Sequence, residues 1–136
     1  MNLVIVGPAA HYWKEKFKYD WIIPKVVNDE ELKELYARAI ALILPSTFEG
    51  FPYTTLEASA SGTPVVGSNY IPEEALIDGY NGFRINGINP KNYAEKLEIM
   101  LSNYELWEKI SSNGKRLVEK YDYISISKKY LDLISD

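Results

Sequence analysis

Short runs of apolar, mostly β-branched residues alternate along this chain with longer stretches whose apolar residues recur at helical spacing. That alternation is the pattern of a parallel sheet whose strands are joined by crossover helices, and it narrows the fold class to α/β. The strand-like runs are Leu3-Val4-Ile5-Val6, ending at Gly7-Pro8; residues 21–27; residues 41–44, stopped by Pro45-Ser46; residues 63–67; and Gly82-Phe83-Arg84-Ile85. Runs this short and this apolar suit strands buried on both faces. Pro24 has no amide to donate, so its run is expected at an edge or an end of the sheet.

Between these runs lie the expected helices. Residues 11–18 form a short one. Asn28 reads as an N-cap, and Glu31 three residues later completes a capping box. The helix that follows carries Leu32, Leu35, Tyr36 and Ala39 as its apolar stripe. Residues 53–61 form a helix closed by Gly62 at the position after the cap. Residues 73–77 read as a short helix ended by Asp78-Gly79. Asn89 and Pro90 open another, as cap and first helical residue, with Tyr93, Leu97, Met100 and Leu101 as its apolar face. Two more helical patterns follow, over residues 104–120 and 124–134. The chain has 136 residues, the size of one domain, and shows no linker or repeat, so residues 1–136 are expected to form a single domain.

Composition excludes several classes of function. There is no cysteine, hence no disulfide and no thiolate metal site. The net charge is −4 and the basic residues are interspersed with acidic ones, unlike the clustered basic face of a nucleic-acid groove. The longest apolar run, residues 39–44, is far short of the ~20 residues that cross a bilayer. Met1 leads straight into a strand-like run with no signal peptide pattern. Together with the lack of cysteine, this gives the expectation of a cytoplasmic protein.

Chemistry is concentrated in Pro45-Ser46-Thr47-Phe48-Glu49-Gly50-Phe51-Pro52-Tyr53-Thr54-Thr55-Leu56-Glu57. Here a strand ends, a tight turn follows and a helix begins. Open α/β sheets bind ligands at such strand ends. Gly50 allows close approach of backbone to a ligand. The first-turn amides of the helix point outward at the positive end of its dipole, and phosphate is the natural guest. Glu49 and Glu57 flank this anion site. An ionised carboxylate accepts hydrogen bonds through two oxygens, which suits neighbouring hydroxyls on a sugar. Two such acceptors beside a diphosphate site describe a nucleotide sugar.

Glu49 and Glu57 are separated by seven residues, with Gly50-Phe51 after the first and Ala58 after the second. With Pro45-Ser46 before, Ala58-Ser59-Ala60-Ser61-Gly62-Thr63-Pro64-Val65-Val66 after, and Ile77-Asp78-Gly79-Tyr80-Asn81-Gly82-Phe83 beyond, this block resembles the retaining glycosyltransferases of family four, which have the GT-B fold. Val26-Val27-Asn28-Asp29-Glu30-Glu31-Leu32 and Leu35-Tyr36 are similar to the family's preceding strand-to-helix turn. The resemblance implies a Rossmann-like parallel sheet with helices on both faces, the C-terminal half of a GT-B fold. It implies that Glu49 is the catalytic-site carboxylate that holds the donor sugar, with Gly50, Phe51, Pro52 and Tyr53. Thr54 and Thr55 would neutralise the diphosphate, Glu57 would bind ribose, and Val26 and Val27 would contact the base. It further implies transfer of a hexose from a nucleoside diphosphate to an acceptor with retention, with the nucleotide sugar as substrate, no cofactor and no bound metal.

Three departures from the family pattern qualify this. Pro52 stands where many members have Gly and removes an amide donor. Asn69-Tyr70-Ile71-Pro72 fills, with one residue fewer, the region where the family has Gly-Gly, which affects the shape of the sugar pocket. Finally, Leu3-Val4-Ile5-Val6 looks like the family's second strand. The first strand and helix, their basic pair and the N-terminal acceptor domain have no counterpart here. Buried unpaired strand edges are costly. Either the sheet re-pairs, another chain covers the gap (a homodimer, for example), or the chain is a fragment. The acceptor domain would be supplied in cis or as a separate subunit, with residues 121–134 as docking element and the full enzyme peripheral at a membrane. The chain alone is expected to be inactive. The alternatives are a non-catalytic interaction subunit of a split glycosyltransferase and a nucleotide-sugar epimerase half.

Other residues have plainer readings. His11 is expected in a partly exposed structural role, Lys14, Lys16 and Lys25 on a solvated face, and Trp21 and Trp107 in core or interface positions. Gly62, Pro64, Gly79 and Gly82 read as turn residues, and Glu73 and Glu74 as support for a helix N-terminus.

Overall fold

Every strand pairing in the structure is parallel, as the alternation of strands and helices requires. The computed structural model describes residues 2–20 and 22–122. Trp21 and the helical pattern over 124–134 lie outside the described residues. Contacts divide the chain into two compact units that meet in sequence between Leu35 and Tyr36. The division follows the strand pairing, which forms a two-stranded and a three-stranded sheet.

In the first unit, β1 (Leu3–Val6) pairs with β2 (Ile22–Lys25), connected by α1 (Ala10–Phe17). Pro24 lies opposite Ile5 in this two-stranded ladder. Among the described residues both strands are therefore edges, and the missing amide is tolerated. The lysines of this region are not all simply solvated. The Lys14 ammonium donates to the Tyr19 carbonyl oxygen, and Lys16 Nζ lies 5.1 Å from the centre of the Trp13 ring, within cation–π range. His11 is exposed on α1. The capping box at the start of α2 (Asp29–Arg38) forms in full: the Glu31 amide donates to Asn28 Oδ1 at 2.9 Å and the Asn28 amide to Glu31 Oε2 at 3.0 Å.

In the second unit, β3 (Leu42–Leu44), β4 (Val65–Ser68) and β5 (Gly82–Ile85) pair in that order. Among the described residues, β1 and β3 each carry a ladder on one side only. All four residues of β4 are buried, which requires cover on both sheet faces. Val66 packs with Ile85, Tyr93 and Met100, and with the partly buried Leu97 and Trp107. This places α4 (Pro90–Ser102) on one face. Successive residues of a strand face opposite sides, so Val65 buries on the other face. Each of these valines, with no exposed surface, contributes about 1.5–3 kcal/mol by leaving water. Helix α3 (Tyr53–Ala60) packs against β4 and against α5 (Tyr104–Val118), which continues as a 3₁₀ turn, Glu119–Tyr121.

Several sequence expectations hold in this unit. Asn89 caps α4 by accepting from the Lys91 amide, with Pro90 first in the helix. Gly62 follows α3 with a left-handed φ of 79°. The Trp107 indole donates to the Ile40 carbonyl oxygen at 2.8 Å. Others need correction. Leu101, placed on the apolar face of α4, is exposed, because it lies one position beyond the buried Met100 and points away. Gly82 is a strand residue and not a turn residue. A Cβ there would lie 1.9 Å from the Val65 carbonyl oxygen, so only glycine lets β5 approach β4 this closely.

The helix expected at residues 73–77 is a single turn. Asn81 explains why it goes no further. Its Oδ1 takes the Ile77 amide at 2.8 Å, and its Nδ2 donates to the Ala75 carbonyl oxygen at 2.9 Å and to Ser59 Oγ at 3.2 Å. The groups that would continue a helix are thus consumed by one buried side chain. Glu73 and Glu74 consequently have no helix N-terminus to support. Glu73 instead lies 3.9 Å from the Arg84 guanidinium.

Candidate functional site

Strand β3 ends at Leu44, and residues 45–52 cross from it to the start of α3. Because β3 and β4 are parallel, the segments leaving them, residues 45–52 and 69–76, emerge at the same edge of the sheet. The two are joined at their roots by Ser68 Oγ, which donates to the Ser46 carbonyl oxygen. Within the first segment, Ser46 Oγ donates to Glu49 Oε1. The half-buried Glu49 carboxylate is thereby fixed against its own loop. Phe51 meets Tyr53 edge-on, with ring centres 5.5 Å apart.

The start of α3 is open. Pro52 occupies the cap position in an extended conformation, no side chain caps the helix, and its first turn carries no acidic residue. Tyr53 is 70% exposed, and Thr54 and Gly50 are exposed as well. Outward-facing amides without a capping carboxylate leave the positive end of the helix dipole available to an anion.

Thr55 does not belong with these residues. It falls on the inward face of α3 with Leu56, Ala58 and Ser59, and its side chain has no exposed surface. Its amide is bonded to the Pro52 carbonyl oxygen at 3.0 Å. Its hydroxyl is buried without a hydrogen-bond partner among the described residues. The assignment of Thr55 to a diphosphate is therefore corrected: position 55 supports the core, and Tyr53 and Thr54 are left at the open helix start. Pro52 is buried as well and acts through the turn that it shapes.

Glu57 lies one turn further along α3, exposed at the surface. One of its oxygens accepts the Tyr36 hydroxyl at 3.3 Å. Tyr36 is buried, and its backbone carbonyl accepts from Thr63 Oγ1. Burial and the adjacent Glu57 charge push the Tyr36 phenol up to about 12. The phenol therefore remains a donor and holds one oxygen of the exposed carboxylate. Val26 and Val27 lie in the first unit, between β2 and α2; Val26 is exposed and Val27 half-buried.

Sequence reasoning passed over the residues that hold these acids. Tyr36 was legible as part of a helix stripe and of the family-like turn before it, with no role at the acids attached, although its place in that stripe leads it towards α3. Ser46, three residues before Glu49, carried a local signal for a side-chain bond across a tight turn. Ser68 and Arg84, distant in sequence, carried none. Among the described residues, no group of three or more His, Asp or Glu is arranged to hold a metal ion.

The model of the family described as glycosyl transferases group 1 matches residues 1–117. The chain belongs to this family. A sucrose synthase of Melioribacter roseus is 36% identical over 125 residues, a match covering 85% of this chain and 16% of that protein. The crystal structure of the C-terminal domain of a glycosyl transferase group 1 protein, LpcC of Francisella tularensis, superposes with a TM-score of 0.70 at 28% identity, covering 83% of this chain and 60% of that one. The crystal structure of Anabaena HepE in complex with UDP superposes with a TM-score of 0.85 at 19% identity, over 99% of this chain and 41% of that one, which speaks to the fold alone. The group 1 chain thus has the Rossmann-like fold of C-terminal GT-B domains. It spans only a small part of the length of the curated relatives that it matches. Among its described residues, no helix is long and apolar enough to cross a membrane.

Proposed function

We propose that this chain is the donor-binding part of a glycosyltransferase that moves a hexose from a nucleoside diphosphate sugar to an acceptor with retention of configuration. The observation that carries the reading is the open start of α3, reached through the Glu49–Gly50 turn and followed one helical turn later by Glu57. The exposed amide end receives the diphosphate. Glu57, steadied by Tyr36, receives the ribose hydroxyls. Glu49, steadied by Ser46, receives the transferred sugar with Gly50, Phe51 and Tyr53, and serves as the catalytic-site carboxylate. Val26 and Val27 contact the base. The nucleotide sugar is a substrate, and the reaction draws on no resident metal or cofactor.

The catalytic groups that act on the acceptor come from an N-terminal acceptor domain, in cis or as a separate subunit, and the complete enzyme works in the cytoplasm. The short share of each relative's length that this chain covers supports that division. Calorimetric titration of the chain with UDP, GDP and ADP, repeated on Glu57→Ala, tests the reading. Binding of one nucleotide, weakened tenfold or more by the substitution, supports it; each lost hydrogen bond to a charged group is worth about 1.5–3 kcal/mol. No binding to any of the three would sink it.

A further inference from the structure

Tyr121 closes the 3₁₀ turn after α5, far in sequence from the acidic block. Its ring meets that of Phe51 at 5.7 Å between centres and 60° between planes. Its hydroxyl donates to the Glu74 carbonyl oxygen at 2.8 Å. One side chain therefore touches both segments that leave the sheet at this edge: residues 45–52, which carry Glu49 and Gly50, and residues 69–76.

Backbone bonds shape part of these segments, as where the Asn69 amide donates to the Ile85 carbonyl oxygen at 2.8 Å and the Ala75 amide to that of Pro72 at 3.0 Å, and side chains add further ties. Residues 69–76 are gripped from β5 by Arg84, whose guanidinium donates to the carbonyl oxygens of Asn69 at 3.0 Å, Ile71 at 2.6 Å and Leu76 at 3.2 Å. Ser68 and Ser46 join the roots of the two segments. Tyr121 joins them further out, at Phe51 and Glu74. Phe51 passes the constraint on to Tyr53, at the open helix start.

We propose that Tyr121 is a positioning residue for the sugar side of the donor site, setting the spacing between the Glu49 segment and residues 69–76. The proposal rests on the nucleotide-sugar reading above. Its ring fixes Phe51 and its hydroxyl fixes the Glu74 peptide, so the two walls of the sugar pocket move together. Partial burial and the Glu74 charge raise the Tyr121 pKa, which keeps the hydroxyl a donor at neutral pH. The site also becomes sensitive to the path of the chain where it leaves α5.

Two measurements on the full chain, compared with Tyr121→Phe and Tyr121→Ala, test this. Hydrogen exchange should quicken about tenfold at residues 49–53 and 69–76 together in Tyr121→Ala, and at 69–76 alone in Tyr121→Phe. Exchange unchanged in either segment of Tyr121→Ala overturns the coupling. Calorimetry with UDP, GDP, ADP, UDP-glucose, GDP-mannose and ADP-glucose should show Tyr121→Ala weakening the bound nucleotide sugar fivefold or more, while its parent nucleotide stays within twofold and Tyr121→Phe falls between. Equal weakening of sugar and parent nucleotide assigns Tyr121 a merely structural role and overturns the proposal. Wild-type chain that binds none of the six removes the donor site itself, a failure distinct from that of Tyr121.

Discussion

The Tyr36 hydroxyl and the Glu57 carboxylate are bonded at 3.3 Å, with the phenol buried and the acid exposed. The pairing joins a helix legible in sequence from its capping box and apolar stripe to the acid at the centre of the functional reading. It also gives the chain a measurable alkaline signature. The fold prefers the protonated phenol, so its stabilisation is complete below pH 10.0, the ordinary tyrosine value, and is lost as pH rises through about 12. Two units correspond to about 2–3 kcal/mol. Urea unfolding at stepwise pH should show wild type losing that much across this window, and Tyr36→Phe losing correspondingly less.

Glu49→Gln keeps the size of the side chain and removes its charge. With the donor sugar on Glu49 and the nucleotide elsewhere, the affinity for a nucleotide sugar should fall about tenfold or more, with the parent nucleotide nearly unaffected. Calorimetry with the matched pair measures the difference.

Thr55→Val separates the two roles considered for position 55. Replacing a buried hydroxyl that has no partner among the described residues by a methyl of similar shape should raise the unfolding free energy by about 1 kcal/mol and leave nucleotide affinity unchanged. A fall in affinity would return Thr55 to the diphosphate.

Asn81→Ala removes the three hydrogen bonds that close the turn before β5 and leaves the Ile77 amide and Ala75 carbonyl without that partner. A loss of about 2–3 kcal/mol is expected, read from the denaturation midpoint.

Gly82→Ala would set a methyl 1.9 Å from the Val65 carbonyl oxygen. The strands must separate to admit it, at a cost of about 3 kcal/mol. The same substitution at Gly79, where a Cβ meets nothing within 4 Å, should cost less, through its left-handed backbone alone. Thermal melts of the two variants provide the comparison.

The parts of the fold that were legible in sequence are those set by local chemistry. Asn28 and Glu31 announced a capping box because both partners lie within one turn. Asn89-Pro90 announced a helix start for the same reason, and short apolar runs announced β1, β3 and β4. Spacing and flanking residues pointed to Glu49 and Glu57. What stayed hidden depends on groups brought together from afar. The turn at 73–77 stops short because of Asn81, Gly82 is required by Val65, and Thr55 faces inward because α3 packs against β4 and α5.

Arg84 has a further consequence. It holds residues 69–76 through three main-chain oxygens, which every amino acid provides, with the Glu73 carboxylate 3.9 Å away as a looser side-chain partner. The exposed Tyr70, flanked by the held Asn69 and Ile71, can therefore be exchanged for other residues without loosening the clasp. The clasp thus leaves a surface position beside the loops whose side chain can change in size and polarity while the scaffold beneath it keeps its shape.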